Sequence, residues 1–333
     1  MRASDREWRV AQAFMKSPLE LGRLNRVLLV NDMAGHLADF LTDEAIESTG
    51  WQRLSHGPVL GEPWVPQASF DGCIMRISKS KAAFDMELHA VASVLEPGAP
   101  IWICGANDEG IRSIARRASG LFPDITTVDT RNHCRILLGH RTEKDEAKAP
   151  LANWLEERQM DLDGRAVSWV TFPGVFGAEK VDFGTQLLLE ALPQPEPGLR
   201  VLDFACGPGA IGAALMARES SIVLHCTEAD AVALEACKYN LPTANHHLGD
   251  GWRDLEVNGF DWVVSNPPIH FGKSEDFRVL RSLVTEARQY LSQHGVLWMV
   301  VQRRIAMEQM LADHFSTVNL VADGNQFRVW KAC

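Results

Sequence analysis

An Asn-Pro-Pro turn, Asn266-Pro267-Pro268, follows the apolar run 260–264 and Ser265. Proline has no amide hydrogen, so the carbonyl groups of this turn are available as acceptors, and Asn266 adds an amide oxygen. Two converging acceptors suit a planar NH2 group, because they hold its hydrogens and direct the nitrogen lone pair towards an electrophile. The pattern predicts a site that positions an exocyclic amine. A turn without chemistry is the alternative.

A second candidate is the glycine-containing turn after the apolar run 200–204. Glycine lets the backbone approach a ligand closely, and the start of the helix that follows offers unpaired N–H groups. The spacing of Gly207, Gly209 and Gly212 matches the G-x-G-x-x-G pattern. Alone, this turn predicts a site for NAD, FAD or S-adenosylmethionine, or a turn with a purely structural role.

Two carboxylates accompany that turn. Asp203 lies inside the predicted strand before it, and Glu228 closes the next predicted strand. A carboxylate at the end of that second strand can accept both hydroxyls of a ribose, as it does in NAD and S-adenosylmethionine sites. The two positions therefore predict a cofactor that carries a ribose.

The elements that must position these residues alternate along the second half. Its apolar runs lie at 200–204, 222–226, 260–264 and 295–301, and its helical patterns lie at about 210–218, 229–239, 275–292 and 304–313. Such alternation predicts a doubly wound parallel sheet that binds ligands at the carboxyl ends of its strands. The direction of a last strand near 326–331 stays open.

The first half repeats this order of elements. Residues 26–41 match residues 200–215, and both segments run from an apolar strand into a helix. We therefore predict two α/β domains, residues 1–150 and residues 151–333. A charged linker ends the first domain, and a helix over 151–160 is expected to begin the second.

Composition excludes several classes of protein. The chain has 33 Lys and Arg against 43 Asp and Glu, a net charge of −10, which argues against nonspecific coating of nucleic acid but allows a local basic groove. Without a long apolar run or a signal-peptide pattern, it is expected to be cytosolic. Its seven cysteines form no C-x-x-C pair, which predicts reduced, mostly buried thiols and no metal site.

The motifs together resemble a known family. Asp203-x-x-Cys206-Gly207-x-Gly209 and Asn266-Pro267-Pro268-Ile269-His270 resemble class I S-adenosylmethionine-dependent methyltransferases that modify exocyclic amines. The stretches 171–176 and 181–189 are similar to bacterial ribosomal RNA guanine-N2 methyltransferases, in particular those of the small subunit. The resemblance implies two tandem Rossmann-like methyltransferase-type domains and methylation of a guanine N2 in 16S ribosomal RNA.

The resemblance also implies roles around the glycine turn. Gly207 and Gly209 would approach the methionine part of S-adenosylmethionine, with Cys206 beside them and Asp203 supporting the loop. Glu228 would hold the ribose hydroxyls.

Five further residues would surround the same cofactor. Asp250 would accept from the adenine amino group, with Trp252 as a stacking partner, although a turn carboxylate beside glycine is the alternative for Asp250. Phe176, Asp182 and Thr185 would roof the pocket, and Phe176 could equally belong to the core.

On the substrate side, Asn266, Pro267 and Pro268 would orient the target amine. The family commonly has an aromatic residue next, which stacks on the target base, whereas this chain has Ile269. Stacking would then be weaker or come from Phe271. His270 matches the family, but a turn histidine bonded to the backbone is an equal alternative.

The first half of the chain lacks the residues of these two motifs. Leu29 takes the place of Asp203, and the basic region 76–81 takes the place of Asn-Pro-Pro. We predict a degenerate methyltransferase unit that helps to hold RNA, with Arg76, Lys79 and Lys81 on phosphates. A solvated basic turn is the alternative.

Other functions remain open at the level of sequence. These are a large-subunit guanine-N2 methyltransferase, a protein glutamine N5-methyltransferase, a noncatalytic RNA-binding or ribosome-assembly protein, and a nicotinamide dehydrogenase. The glutamine enzymes usually have tyrosine after Asn-Pro-Pro, which this chain lacks. We expect a monomer that binds ribosomal RNA.

Overall fold

The computed structural model describes residues 3–333 except 23, 143–146, 178–179, 272–273 and 276. The chain divides into two compact units. The first comprises Met1–Arg53 and Glu62–Trp154, and the second comprises Leu54–Gly61 and Leu155–Cys333. No local sequence pattern assigns the segment 54–61 to the second unit, because its contacts are with residues far along the chain.

The first unit is an α/β domain with a six-stranded sheet. Its helices are α1 (Ala3–Met15), α2 (His36–Asp43), α3 (Lys81–Val94) and α4 (Ile114–Ala118). Its strands are β1 (Arg26–Val30), β2 (Glu47–Trp51), β3 (Gly72–Arg76), β4 (Pro100–Ala106), β5 (Thr126–Arg131) and β6 (Cys134–His140).

The second unit contains a seven-stranded sheet and two small two-stranded sheets. Its helices are α5 (Phe183–Ala191), α6 (Ala210–Arg218), α7 (Ala231–Asn240), α8 (Arg278–Tyr290) and α9 (Glu308–Ala312). Its strands are β7 (Glu156–Leu162), β8 (Arg165–Thr171), β9 (Arg200–Phe204), β10 (Val223–Glu228), β11 (Asn245–Leu248), β12 (Phe260–Ser265), β13 (His270–Phe271), β14 (Ser274–Glu275), β15 (Leu291–Gln302), β16 (Val318–Asp323) and β17 (Phe327–Ala332).

The two large sheets share one strand order. The order is β2-β1-β3-β4-β6-β5 in the first unit and β11-β10-β9-β12-β15-β17-β16 in the second. In the first sheet β2, β1, β3 and β4 are parallel, β6 is antiparallel to β4, and β5 is antiparallel to β6. In the second sheet β11, β10, β9, β12 and β15 are parallel, β17 is antiparallel to β15, and β16 is antiparallel to β17. If β11 is left out, the other six strands of the second sheet follow the same order along the chain as the six strands of the first. This confirms two tandem, mostly parallel, doubly wound domains.

Strand β9 is central to the second sheet because both of its faces are covered. Val201 belongs to the same buried cluster as Leu189 on one face, and Leu202 belongs to the same cluster as Leu283 on the other. Alternate residues of a strand point to opposite faces, so a strand covered on both sides reads as a continuous apolar run. Each such side chain stabilises the fold by about 1.5–3 kcal/mol. The one polar residue inside this run, Asp203, therefore requires a separate explanation.

The helix predicted over 151–160 is wrong. The chain forms a short 3-10 helix, Leu151–Trp154, and then the hairpin of β7 and β8. Met160 and Leu162 are buried at alternate positions, which is the period of a strand. Asp163 and Gly164 both have positive φ, 56° and 76°, as a tight hairpin turn requires. The Asp-Gly pair is the sequence signal of this hairpin turn.

None of the helices in the described part of the chain has the length and apolar character that crossing a membrane requires.

Candidate active site at the carboxyl edge of the second sheet

Asn266 follows β12 at the carboxyl edge of the second sheet, and its side chain is held in one orientation. Its Nδ2 donates to Asp182 Oδ2 at 2.6 Å and to Thr185 Oγ1 at 3.0 Å. Only the NH2 end of the amide can donate to a carboxylate, so these contacts fix which end faces helix α5. The carbonyl oxygen of Asn266 is left as an acceptor for another group.

The end of β12 is itself tied to β9. The hydroxyl of Ser265 is fully buried and donates to the carbonyl of Phe204 at 2.7 Å. This bond joins the residue before Asn266 to the strand that leads into the glycine turn. The two candidate motifs are therefore connected through adjacent parallel strands.

Asp182 links Asn266 to the start of α5. It is the N-cap of that helix, and its carboxylate accepts the backbone N–H of Thr185 at 3.2 Å. Aspartate is a favoured N-cap because it satisfies an unpaired helix amide. The predicted role of Asp182 and Thr185 as a roof over the cofactor stays a prediction. The contacts themselves give both residues a positioning role on Asn266, 84 and 81 residues away in sequence.

The aromatic residues near this site lie on α5 and on the loop before it. The side chains of Phe176 and Phe183 are 70% and 64% exposed, and Lys180 Nζ lies 5.2 Å from the ring centre of Phe183. Ile269 is buried, so it offers no face to a base in this arrangement. The predicted contacts of His270 and Phe271 concern side chains that lie outside the described residues.

Asp203 is completely buried beneath the glycine turn. Its Oδ2 accepts the N–H of Gly212, in the first turn of α6, at 2.9 Å. Burial raises the pKa of Asp203 to about 8. Among the described residues, its Oδ1 has no hydrogen-bond partner. The carboxylate thus supports the loop from below and keeps one polar atom unsatisfied.

The glycines of the turn serve two different purposes. Gly207 has a φ of 56°, and among the described residues a Cβ built there would meet only the Phe176 carbonyl, at 3.9 Å. Gly209 has a φ of 94°, and a Cβ there would lie 2.7 Å from Leu241 Cδ1 and 3.0 Å from Cys237 Sγ. Close backbone approach by a ligand is open at Gly207, whereas packing against α7 accounts for Gly209.

Glu228 ends β10 beside this turn. Its carboxylate accepts the N–H groups of Gly207 at 2.8 Å, Ala229 at 2.9 Å and Asp230 at 3.0 Å. Burial is the largest influence on it and raises the pKa of Glu228 to about 7. A carboxylate at this strand end and the open side of Gly207 fit a cofactor that carries a ribose.

Asp250 accepts hydrogen bonds from two directions. It accepts from Gly57 N–H at 3.0 Å and from Arg278 Nη1 at 2.8 and 2.9 Å. Burial raises its pKa, but the bonds from Arg278 and Gly57 outweigh this effect and lower the pKa overall. A backbone hydrogen bond also holds the segment 54–61 in this region: the Ser55 N–H donates to the Ala229 carbonyl at 2.7 Å. The adenine role of Asp250 stays a prediction.

Trp252 does not fit the predicted role of an adenine stacking partner. Its side chain is 1% exposed and stacks on Tyr290 with ring centres 4.4 Å apart. Its Nε1 donates to the Ser282 carbonyl. The ring is a core element that supports the loop after β11.

Three cysteines meet beneath the glycine turn. The sulfur atoms of Cys206, Cys226 and Cys237 all lie within 4.8 Å of one another, and all three residues are buried. The cysteine spacing predicted buried thiols but not this cluster, because the residues come from a loop, a strand and a helix. Three sulfur atoms at such distances form a ligand set that suits a soft metal ion.

The corresponding edge of the first sheet carries different chemistry. Arg76 stands at the position of Asn266 when the registers of β1–β3 and β9–β12 are aligned. Its side chain is 12% exposed and pairs with Glu109 at 2.8 Å and Glu7 at 3.5 Å. These ion pairs do not favour the predicted phosphate contact of Arg76. Lys79 and Lys81 are exposed, and their phosphate role stays a prediction.

The fold and the site define the class of protein. A seven-stranded, doubly wound sheet with a glycine turn after one strand, a carboxylate closing the next and an Asn-Pro-Pro turn beyond is the arrangement of a class I S-adenosylmethionine-dependent methyltransferase. Two family models match: the methyltransferase small domain over residues 166–331 and its N-terminal domain over residues 25–158.

Whole-chain comparisons identify the particular family. The ribosomal RNA small subunit methyltransferase C of Shewanella pealeana is 31% identical over 91% of this chain and 93% of its own. Its namesake in Shewanella loihica is 29% identical over 94% and 95%. The chain therefore belongs to the ribosomal RNA small subunit methyltransferase C family.

A solved structure has the same two-domain fold. It is the T. thermophilus 16S rRNA N2 G1207 methyltransferase, RsmC, in complex with AdoMet and guanosine. The TM-score is 0.84 at 22% sequence identity, over 97% of this chain and 91% of that one.

Proposed function

We propose that this protein transfers the methyl group of S-adenosylmethionine to the exocyclic N2 of a guanine in 16S ribosomal RNA of the small subunit. The observation that carries the proposal is the fixed amide of Asn266, whose NH2 end is bound by Asp182 and Thr185. The names of the relatives, and the AdoMet and guanosine bound to the T. thermophilus enzyme, support the same substrate and cofactor.

The cofactor would bind at the ends of β9 and β10. Glu228 would accept its ribose hydroxyls, and Gly207 would allow its methionine part to approach the backbone. Bound S-adenosylmethionine supplies a methyl group on a sulfonium, an electrophile that needs no further activation. The protein's task is therefore to bring a nucleophilic amine into line with it.

Asn266 and the Pro267 carbonyl would hold the target amine. Each accepts one N–H of the guanine NH2 group, so the nitrogen lone pair faces the methyl carbon. The N2 nitrogen would take the methyl group as the S–C bond breaks, which would leave S-adenosylhomocysteine, and the amine would then lose its extra proton to solvent. No general base is required within the site. The guanine must leave its stack to reach these acceptors.

The same proposal covers the setting of the reaction. Every residue of the candidate site belongs to the second unit of one chain, so a monomer suffices. The substrate would be the small ribosomal subunit or its RNA, in the cytosol. The first unit would contribute to RNA binding through Lys79 and Lys81.

The test is transfer of labelled methyl from S-adenosylmethionine to separated, undermethylated small and large ribosomal subunits, with the product nucleoside identified. We expect N2-methylguanosine in the small subunit alone, and loss of the label with the Asn266→Ala variant. Label in the large subunit alone would keep the chemistry and move the target. No label in either, despite cofactor binding, would favour a protein substrate or a noncatalytic role.

A further inference from the structure

A polar cleft opens at the end of β15 in the second unit. It has a cavity volume of about 540 Å³. It is lined by Gln302, Arg303, Arg304, Asn325, Gln326 and Phe327. Two guanidinium groups, three side-chain amides and one ring are groups that recognise phosphates and base edges, and they are poor surroundings for an apolar ligand.

The cleft lies on the same edge of the sheet as Asn266. Strand β15 pairs with β12 in parallel, with Ser265 opposite Met299, so both strands end on that edge. The first turn of α5 lies between the two places. A Cβ built at Gly184 would be 3.1 Å from the Phe327 ring and 3.2 Å from Asp182 Oδ2, and Asp182 holds Asn266. One helical turn therefore separates the cleft from the fixed amide.

The cleft has a local concentration of positive charge. Arg303 and Arg328 share one carboxylate, Asp323, with N–O distances of 3.3 and 3.1 Å, so this group of three carries a net positive charge. Arg304 follows Arg303 in the cleft wall, and one of its hydrogen bonds goes to Gln302 at 2.8 Å. Arg303 keeps 48% of its side chain exposed. The cleft can therefore present guanidinium N–H groups to an anion.

Local charge of this kind matters because the chain as a whole carries −10 and would repel a polyanion. An RNA that delivers a base to Asn266 must place its flanking phosphates near that edge of the sheet. Arginines bind phosphate through bidentate hydrogen bonds, and side-chain amides read the edges of unpaired bases.

We infer that the cleft of Gln302–Arg304 and Asn325–Phe327 binds the single-stranded nucleotide that adjoins the flipped guanine. Arg303 and Arg304 bind its phosphates, and Asn325 and Gln326 lie against its base. The inference rests on the proposed function, because it takes RNA as the substrate. It adds a site on the protein that determines which nucleotide of the RNA strand reaches the pocket.

The test compares two double variants of the full-length protein. Arg303→Gln/Arg304→Gln removes the two cations of the cleft. Arg165→Gln/Arg288→Gln removes the same charge elsewhere: Arg165 begins β8 and donates to the Ala217 carbonyl, and Arg288 lies at the end of α8 and donates to the Ser292 carbonyl. Thermal unfolding and S-adenosylhomocysteine affinity check that both variants are folded.

The readout is the dissociation constant of a guanine-containing, single-stranded 12-nucleotide RNA, measured by fluorescence anisotropy over a range of salt. Loss of two phosphate contacts should reduce the slope of log K against log salt by about 1.4. We expect about tenfold weaker binding near physiological salt for the cleft variant and less than twofold for the control. The Arg303→Lys/Arg304→Lys variant should restore the slope because it keeps the charge.

Steady-state methylation gives a second readout. The cleft variant should raise the KM for RNA about tenfold and change kcat less than twofold. If its salt slope equals that of the control, the inference is overturned. If the wild-type protein methylates no ribosomal RNA while the cleft variant still loses RNA binding, the proposed function fails and the RNA site stands.

Discussion

The two halves of this chain contain the same turn with different chemistry. Asn31 and Ala205 both follow a central strand with a positive φ, 61° and 57°, and Gly35 and Gly209 both precede the next helix. In the second half, buried Asp203 supports that helix from inside the strand. The turn is thus preserved in both halves, and the two copies differ in the residues around it.

The first half supports the equivalent helix in another way. Leu29 fills the position of Asp203 in the core, and Asp32, from the loop itself, accepts the N–H groups of Leu37 and Ala38, both at 2.9 Å. Ala38 aligns with Gly212, the partner of Asp203. A carboxylate satisfies the same helix amide in each copy, but the first copy places it in the loop, where a ligand would otherwise approach.

The next difference lies one strand further along. In the second copy that strand is followed by Asn266, a neutral acceptor held by a carboxylate and a hydroxyl. The first ends it in Arg76, a cation bound by Glu109 and Glu7. An amine donor requires an acceptor, so the second arrangement can hold a substrate while the first is an internal ion pair. The fold does not determine the chemistry, which depends on these few positions.

The largest expected effect comes from replacing Asn266 and, for comparison, Arg76 with alanine. Asn266→Ala should lower kcat by about 10²–10³, as loss of one preorganised polar contact does. Affinity for S-adenosylhomocysteine should stay within twofold. Methylation kinetics and calorimetry measure the two quantities.

Arg76→Ala should have the opposite signature. It leaves Glu109 and Glu7 without their shared cation, so we expect a loss of roughly 2–3 kcal/mol of stability. The kcat of the folded variant should remain within about twofold, measured after urea unfolding has established the folded fraction. A kcat loss equal to that of Asn266→Ala would contradict the distinction between the copies.

The paired glycines give the second prediction. A Cβ at Gly209 meets Leu241 and Cys237 at or below 3.0 Å, whereas one at Gly35 meets no atom of the described residues within 4 Å. Both have positive φ, so each alanine costs about 1 kcal/mol in backbone strain, and crowding adds about 2 kcal/mol at Gly209. Urea unfolding of Gly209→Ala and Gly35→Ala measures the difference. Equal losses would show that packing against α7 is not what requires glycine.

The third prediction isolates the positioning of Asn266. Asparagine is as good an N-cap as aspartate, so Asp182→Asn should change stability by less than about 0.5 kcal/mol. It removes the carboxylate that fixes the Asn266 amide, and we expect kcat to fall about tenfold with KM for the cofactor unchanged. The control is Asp230→Asn, at the N-cap of α7, which should keep kcat. An altered cofactor KM in Asp182→Asn would instead favour the roof role.

The last prediction concerns the pH dependence of cofactor binding. Burial raises the pKa of Glu228 to about 7, so this side chain is protonated below that pH in the free protein. Ribose hydroxyls donate to the ionised form, so affinity for S-adenosylhomocysteine should fall as pH drops below 7, by up to about tenfold per unit. Calorimetry between pH 5.5 and 8 measures this. Glu228→Gln should bind more weakly and lose the dependence; an unchanged pH profile would remove Glu228 from the ribose site.

Local sequence signals predicted a large part of this fold. The apolar run at 200–204 and the helix at 210–218 match β9 and α6, because strand and helix periodicities are short-range patterns. The hairpin of β7 and β8 also carries a local signal, because Asp163-Gly164 is a dipeptide typical of a two-residue hairpin turn. Burial of Trp252 against Tyr290 depends on packing, which no local pattern encodes.

The site was predictable as a set of motifs but not as an arrangement. Asn266 and Glu228 follow strands, so their edge of the sheet could be predicted. The contact between Asp182 and Asn266 joins residues 84 apart, and the contact between Gly57 and Asp250 joins residues 193 apart. Such contacts exist only once the sheet has formed, and single-sequence patterns carry no sign of them.

The number and position of the cofactor sites test the contrast between the two halves most directly. Isothermal titration of the wild-type protein with S-adenosylhomocysteine should give one site per chain, lost in Glu228→Ala and retained in Asp32→Ala, the variant of the first copy's loop carboxylate. Two sites per chain, or one that is lost in Asp32→Ala and kept in Glu228→Ala, would contradict the assignment of the chemistry to the second half.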